Sequence, residues 1–341
     1  MAARGLQPDS SSISKELVCR NCRAIRNRLT FQGDGSYLAE AFLADIDVKQ
    51  SESFSYHLDL DRWMESEFDG MPLARYAAYE FLISRKLHDP RVPEELQDEF
   101  RQYIYNVALT SRVAWSALQD LRPDRVITYN TLYGVNRVWK HLSEEMGIPC
   151  YSIHGGPSVA KLHNTLMTNR DDNDHLLLAQ DDTIREHLSH PISPKAVSTV
   201  GDTLVAQLEA TSVWVYSRAH EKLHPSQIRN RLGIDATQKV VLAALPSADE
   251  RFSAFVSGLS ALKQEPRVFP TQSSWLKTLS DYSTERPDVV IIVRLHPRMY
   301  PNKREGQSAA SLTGLLDAVQ NRSVNMIINT PTDEISLSDS V

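Results

Sequence analysis

The sequence predicts an α/β protein in which two layers of parallel sheet and crossover helices follow each other along the chain. Short apolar runs rich in β-branched residues alternate with longer stretches of helical spacing, and the alternation restarts after the polar stretch 217–237. A strand, helix and strand in succession need a crossover connection, which makes neighbouring strands parallel. The 341 residues are also enough for two domains of ordinary size.

The first half is predicted to begin with helices. Pro72–Leu87 reads as a helix with a proline in its first turn. Apolar residues recur every three or four positions over Pro93–Leu121, which predicts one long amphipathic helix that Arg122-Pro123-Asp124 ends. The elements predicted next are a strand at Arg125–Asn130, a helix at Tyr133–Met146, and strands at Cys150–His154, His175–Ala179 and Ala196–Val200.

The second half repeats the pattern after a connecting helix in HEKLHPSQIRNRLGI. Its predicted elements are a strand at Lys239–Leu245, helices at Asp249–Leu262 and Trp275–Arg286, and strands at Val289–Arg294 and Asn325–Asn329. Each half thus contains a helix, an Arg-Pro-Asp step and a strand. This similarity does not require duplication of one half from the other, because Arg-Pro-Asp is a common way to leave a helix and enter a sheet.

These elements predict three parts of the chain. Residues 1–35 form an irregular segment, 36–216 a first α/β domain and 217–341 a second one. The second sheet is expected to be incomplete, because the chain stops shortly after the strand that ends at Asn329. We therefore expect a truncated or fragmentary gene product with a labile second half.

Composition and charge exclude some classes of protein. A net charge of -6 argues against a nucleic-acid binder that works by bulk attraction. The sequence has no apolar run of membrane-spanning length, and its start lacks the apolar core of a signal peptide. We expect a cytoplasmic protein, with peripheral membrane association through a partner as an open alternative.

Cysteine usage is sparse. Cys19 and Cys22 form a C-R-N-C pair, and Cys150 stands alone before a predicted strand. A CxxC pair is typical of half a zinc site, of a redox pair or of two reduced thiols, and a complete zinc ribbon would need a second pair. We expect neither a bound metal nor a cofactor, and keep Cys19 and Cys22 as a candidate zinc half-site.

A histidine and several cations follow the predicted strand Val289–Arg294. They are Arg294, His296, Arg298, Lys303 and Arg304. Ligands of open parallel sheets bind beyond the carboxyl ends of the strands, and imidazole and guanidinium groups donate hydrogen bonds to phosphate oxygens. Pro297 restricts the backbone beside the ring. The sequence therefore predicts an anion site for a nucleotide phosphate; the alternative is a strand end with solvated arginines and a capping histidine.

Two neighbouring turns are predicted to face the same site. Ser247 and Glu250 have the spacing of a capping box, which leaves Asp249 free for another role. Thr330 and Asp333 would begin a further helix after the last strand. Helix starts offer free backbone N–H groups, which suit phosphate.

A resemblance to a known family rests on three segments, ALPSADERFSAF, SSWLKTLSDYSTERPDVVIIVRLHPRMYPNKRE and IINTPTDEISLSD. They resemble capsule and surface-polysaccharide biosynthesis proteins, which are glycosyltransferases with two Rossmann-like domains (GT-B type). These are related in pattern to Kdo transferases and, more distantly, to CDP-glycerol glycerophosphotransferases. The segment RPDRVITYNTLYGVNRVWKHLSEEMGIPCYSIHGG looks like the acceptor-side domain of the same group.

The resemblance implies transfer of a sugar from a nucleotide-activated donor to a polysaccharide or glycolipid acceptor. It also implies that His296 contacts the donor phosphate. His154, at the end of a strand, and Asp249 are candidates for the base that accepts the proton of the acceptor hydroxyl. A polyol-phosphate transferase, a nucleotide-sugar epimerase and a non-catalytic fragment or partner subunit stay open as alternatives.

Overall fold

The computed structural model describes residues 39–155, 166–170, 191–209, 223–258, 268–301, 306–331, 333 and 335, together with Arg20 and Ala24. Its helices are α1 (Asp45–His57), α2 (Leu73–Arg85), α3 (Gln97–Leu121), α4 (Gly134–Glu145), α5 (Pro194–Leu208), α6 (Pro225–Leu232), α7 (Ala248–Val256), α8 (Gln272–Glu285) and α9 (Ser311–Ala318). Its strands are β1 (Val126–Tyr129), β2 (Cys150–Gly155), β3 (Leu166–Asn169), β4 (Lys239–Ala244), β5 (Val289–Arg294) and β6 (Met326–Asn329). The α/β class predicted from the sequence is confirmed.

The chain divides into two compact units. The first contains the described residues of Met1–Phe81, Pro90–Ser152 and Val256–Gly258. The second contains those of Leu82–Asp89, Ile153–Phe255 and Leu259–Val341. The division therefore falls inside α2 and inside β2, and eight residues from the end of α2 onwards belong with the second unit.

The long helix α3 organises the core of the first unit. The predicted period is confirmed, because Phe100, Tyr103, Val107 and Ala114 all lie on its buried face. The ring of Phe100 stacks on Phe81 with centroids 4.6 Å apart. At the start of α4, a Cβ on Gly134 would lie 2.8 Å from the carbonyl oxygen of Tyr76, so glycine permits this close approach.

The second unit is built on a parallel sheet with the order β4-β5-β6. All six residues of the central strand β5 are buried. One face of the strand packs its odd-numbered residues, such as Ile291, against α8 and α9, and the other packs Val290 and Ile292 against Ile234. Burial on both faces explains why this strand reads as a continuous β-branched run in the sequence.

One predicted strand is wrong. Ala196–Val200 lies inside helix α5, which begins at Pro194. The Ser193 hydroxyl accepts a hydrogen bond from the backbone N–H of Ala196 at 3.1 Å, so serine and proline together start a helix. The apolar residues recur at helical spacing over the whole of α5, which a five-residue window of β-branched residues does not reveal. The predicted strand at His175–Ala179 lies outside the described residues.

The two Arg-Pro-Asp steps differ in local geometry although both lead from a helix to a strand. Arg122 has a left-handed backbone with φ of 44°, and its Nε donates to the carbonyl oxygen of Gln119 at 3.4 Å. Arg286 has φ of -122°, and its guanidinium forms two hydrogen bonds to Asp288 at 2.8 and 2.9 Å. The same three residue types therefore end a helix in two ways.

In the part of the chain that the structure describes, no helix has both the length and the apolar character needed to cross a membrane.

Candidate functional site

The predicted anion site lies at the carboxyl ends of β4, β5 and β6 in the second unit. The strand register places Ala244, Arg294 and Asn329 side by side, so the segments that leave these strands start from one edge of the sheet. Ser247, His296 and Thr330 all follow within three residues of that edge. Parallel strands thus bring together residues that are more than 80 positions apart in the sequence.

Arg294 ends the central strand and is 3% exposed. One of its terminal nitrogens donates to the side-chain oxygen of Asn329, to the carbonyl oxygen of Thr330 at 2.9 Å and to that of Ile335 at 3.3 Å. Within the described residues, its buried Nε has no hydrogen-bond partner. The three acceptors are uncharged, so in the described part of the chain dipoles hold the positive charge and no carboxylate contacts it.

The environment of Arg294 also affects its protonation. Burial lowers the pKa of the guanidinium, and the negative charge of Asp333 acts in the opposite direction. Arginine stays protonated at any pH at which the protein is folded. A positive charge with neutral partners at the end of the central strand favours a nearby anion.

Arg298 has a different environment, although it is also buried at 5% exposure. Its guanidinium donates to Asp249 at 2.7 Å and to the carbonyl oxygen of Ile83 at 3.0 Å. A second carboxylate, that of Glu250, lies 3.3 Å from its Nε. Two carboxylates therefore neutralise this charge, and one of them is itself buried.

The three predicted residues at the start of α7 all join this network. Asp249 is 2% exposed, and its second carboxylate oxygen accepts a hydrogen bond from the hydroxyl of Ser247. Glu250 is half exposed and reaches Arg298 from the same turn. The structure thus brings Ser247, Asp249, Glu250 and Arg298 together as one hydrogen-bonded cluster.

His296 connects this cluster to the strand end. Its ring is half-buried, and Nδ1 accepts a hydrogen bond from the backbone N–H of Arg298 at 3.2 Å. It thereby caps the short 3-10 turn Pro297–Met299. Burial and the charge of Arg298 lower the pKa of the imidazole, whereas Asp249 raises it, and the net direction is down. The neutral ring then carries its proton on Nε2, which can donate to a ligand.

Thr330 and Asp333 form a turn after β6. The carboxylate of Asp333 accepts a hydrogen bond from the backbone N–H of Thr330, and the N–H of Asp333 donates to the carbonyl oxygen of Thr330 at 3.1 Å. The acceptor of the second bond is a backbone carbonyl and not the Thr330 hydroxyl, so the pair closes a turn; the helix predicted after Asp333 lies outside the described residues. The structure therefore places Thr330 and Asp333 beside Arg294, whose guanidinium binds the same carbonyl oxygen of Thr330.

No local pattern in the sequence predicts that Leu82–Asp89 contributes to this site. The side chain of Lys86 is fully buried and donates to the carbonyl oxygens of Tyr300 and Gln307 at 2.8 and 2.6 Å. Gln307 in turn donates to the carbonyl oxygen of Ser84, near the end of α2, at 3.0 Å. These hydrogen bonds join residues that are more than 200 positions apart in the sequence.

His154, the other predicted base, lies at the end of β2 in the other sheet. Its Nδ1 is 3.2 Å from the carbonyl oxygen of Gly155. A base role for His154 stays a prediction.

Four predicted residues, Cys19, Cys22, Lys303 and Arg304, lie outside the described residues. Within the described residues, no group of three or more histidine, cysteine, aspartate and glutamate side chains could hold a metal ion.

The first unit contains an open cavity of about 580 Å³ that carries none of the predicted site residues. It is lined by Leu118, Gln119, Asp120, Arg122, Pro123, Met146 and Ile148. These residues precede β1 and β2, so the cavity lies at the edge of the sheet where its strands begin. We favour the carboxyl ends of β4–β6 as the candidate site, because ligands of open parallel sheets bind at that edge.

Searches for similar proteins found no match among protein-family models, curated proteins or solved structures.

Proposed function

We propose that this chain is a glycosyltransferase that binds the phosphate of a nucleotide-activated sugar at the carboxyl ends of β4, β5 and β6. The observation that carries the proposal is the buried guanidinium of Arg294, whose hydrogen-bond partners among the described residues are all uncharged, at the end of the central strand. The neighbouring His296 supplies a hydrogen-bond donor for a phosphate oxygen. A two-domain Rossmann-like architecture and a surface-polysaccharide acceptor belong to the same proposal.

The proposed chemistry is displacement at the anomeric carbon of the donor sugar. The acceptor oxygen forms the new bond, the bond to the phosphate oxygen breaks, and the nucleotide leaves with the electron pair. The positive charge of Arg294 and the donor group of His296 stabilise the charge that develops on the departing phosphate. The proton of the acceptor hydroxyl passes to a base, for which His154 is the candidate.

The donor site is tested by nucleotide binding. We would titrate the protein with CMP, UDP, GDP and CDP-glycerol by calorimetry, and expect one nucleotide class to bind. His296→Ala should remove a hydrogen bond to a charged group, worth on the order of 1.5–3 kcal/mol, and weaken affinity roughly ten- to hundredfold. Binding of CDP-glycerol alone would favour polyol-phosphate transfer over glycosyl transfer.

Two further variants separate the binding role of His296 from its capping role. His296→Asn keeps a side-chain oxygen that can cap the turn but has no group in the place of Nε2–H, so it should fold and bind weakly. His224→Ala is the matched control, because His224 also precedes a proline and caps a helix but is exposed. Unchanged affinity in both His296 variants would remove this residue from the donor site.

The base is tested by separating turnover from affinity. If His154 accepts the proton, His154→Asn should lower the rate of sugar transfer by roughly 10²–10⁴-fold and leave donor affinity nearly unchanged. Equal losses of both, or a loss of folded protein, would assign His154 a structural role.

A further inference from the structure

We infer that Asp249 and Arg298 are positioning residues, which hold His296 as a fixed, uncharged hydrogen-bond donor with its proton on Nε2. The inference deepens the proposed function and rests on it for the identity of the ligand. It gives Asp249 a role other than that of a base. It also specifies the chemistry of the partner, which must present a hydrogen-bond acceptor to Nε2–H, as a phosphate oxygen does.

The backbone N–H of Arg298 donates a hydrogen bond to Nδ1 of His296 over 3.2 Å. A backbone N–H can only donate, so Nδ1 must be the accepting, unprotonated nitrogen. The ring proton is then on Nε2. In the described part of the chain, Nε2 of His296 has no hydrogen-bond partner, which leaves this donor available to a ligand.

Arg298, which supplies this N–H, is held on both sides. Pro297 fixes φ on one side of the turn. On the other side, the guanidinium of Arg298 is held by Asp249 at 2.7 Å and by the carbonyl oxygen of Ile83 at 3.0 Å. Because both charged groups are more than nine-tenths buried, the pair loses little to solvent competition. The peptide that faces the ring therefore has a single position.

Both carboxylate oxygens of Asp249 bind other groups of the protein. One of its carboxylate oxygens accepts from Arg298 and the other from the hydroxyl of Ser247. Its side chain is almost completely removed from solvent. A general base needs a carboxylate oxygen within reach of the acceptor hydroxyl, and both oxygens here already bind the protein.

His224 provides an internal comparison. It also precedes a proline, and its Nδ1 accepts from the backbone N–H of Ser226 at 3.4 Å. The same Nδ1 lies 2.8 Å from the hydroxyl of Ser226, which can both donate and accept, and the residue is exposed. The N–H is farther from Nδ1 at His224 than at His296, and the hydroxyl can accept a hydrogen bond from a protonated Nδ1 when that exposed cap opens. We therefore expect the His224 ring to exchange between tautomers, whereas His296 should show one.

Among the described residues, the charged groups that act on the His296 ring are Arg298 from its own turn and Asp249 from α7. Protonation of the ring would put a proton on Nδ1 and break the bond from the N–H of Arg298. The contribution of His296 to phosphate affinity should therefore be constant from about pH 8 down to its ordinary pKa, and fall at lower pH as the cap opens.

The test is two-bond ¹H–¹⁵N NMR of the histidine rings in the full chain without nucleotide. The sequence has 11 histidines, and the signals of His296 and His224 are assigned as those lost in His296→Asn and His224→Asn. We expect the Nε2–H form alone for His296 above pH 7 and averaged signals for His224. Averaged tautomers at His296 in the wild-type protein would overturn the inference.

The role of Asp249 is tested with Asp249→Asn, which keeps the shape of the side chain and removes its charge. We expect averaged tautomers at His296 in folded protein, together with roughly tenfold weaker nucleotide binding. Arg298→Lys, whose shorter side chain lacks the terminal nitrogen that binds both Asp249 and Ile83, should behave in the same way and replaces Asp249→Asn if that variant does not fold.

The matched control is Asp288→Asn, the same change at the exposed pair Arg286–Asp288 of the second unit, which should alter neither measurement. A single Nε2–H form and unchanged affinity in both Asp249→Asn and Arg298→Lys would refute the positioning role. Because the NMR measurement needs no ligand, a wild-type protein that binds no nucleotide would refute the proposed function and leave this test intact.

Discussion

Arg294 and Arg298 lie four residues apart, and the sequence predicts the same role for both. In the structure both are buried. Among the described residues, carboxylates contact Arg298, those of Asp249 and Glu250, but not Arg294. The described hydrogen bonds of Arg294 go to the side-chain oxygen of Asn329 and two backbone carbonyl oxygens. One guanidinium is therefore paired with carboxylates, and the other is held by neutral groups.

This difference in contacts gives Arg298 a structural role and Arg294 a role in binding, although the two residues belong to one sequence motif. A paired charge contributes little potential to its surroundings, so Arg298 is expected to act in folding and in positioning His296, and not as a ligand of the anion. An unpaired buried charge costs free energy, and an arrangement that keeps one needs a compensating partner such as a bound anion. Groups of one residue type at neighbouring positions can thus have opposite roles, and their contacts decide which.

The largest expected effect comes from breaking the buried pair. Arg298→Met or Asp249→Leu alone should each lower the free energy of unfolding by about 3–5 kcal/mol, because one charge stays buried without its partner. The double variant, in which two apolar side chains replace the pair, should recover most of this loss. Urea unfolding followed by circular dichroism measures all three. A double variant no more stable than the single ones would show that the pair itself stabilises the unit.

Arg294→Met should have the opposite pattern and an effect of intermediate size. Nucleotide affinity should fall roughly ten- to hundredfold, since a charged partner of the phosphate is lost at about 1.5–3 kcal/mol. Stability should change little or rise, because a buried charge with neutral partners is removed. Calorimetric titration and urea unfolding of the same variant are compared, with Arg286→Met as the exposed arginine control. A large loss of stability with intact affinity would reverse the roles assigned to Arg294 and Arg298.

Ser247→Ala should have a smaller effect. It removes the hydroxyl that donates to Asp249, which is worth about 0.5–1.5 kcal/mol of stability, and leaves the bond between Asp249 and Arg298 in place. Differential scanning calorimetry measures the change in melting temperature. A loss as large as that of Asp249→Leu would mean that the serine supports the whole cluster.

The smallest expected effect is a pH dependence of stability. The pKa of the His296 imidazole is lower in the folded protein than its ordinary value of 6.5, so at acidic pH the unfolded chain binds a proton more readily than the folded chain. The contribution of the neutral ring to the free energy of unfolding is therefore complete above pH 6.5 and is lost as the pH falls through the folded pKa. Urea unfolding at several pH values should show this decline in the wild-type protein and a flatter profile in His296→Asn. Identical profiles would show that the ring does not titrate differently in the two states.

The sequence by itself determined the strands of the second sheet and the helices around them. Val289–Arg294 was predicted with the bounds observed, because a strand buried on both faces must be apolar at every position. The 25-residue helix α3 was predicted with its observed end, since its apolar residues keep a helical period over seven turns, but its predicted start at Pro93 is wrong because a 3-10 turn, Glu94–Leu96, precedes Gln97. The α5 helix was misread, because a short β-branched run carries no information about the period around it.

Only the tertiary structure decided which charges are paired. Asp249 and Arg298 are 49 residues apart, and Ile83 and Arg298 are separated by 215, so no local pattern links them. The parallel sheet brings these side chains to one edge. Because they are buried there, the electrostatic energy of each charge is set by its nearest partner and not by water. Residue types and spacing predict where an anion site lies, but the pairing that leaves Arg294 unneutralised follows from packing over long sequence distances.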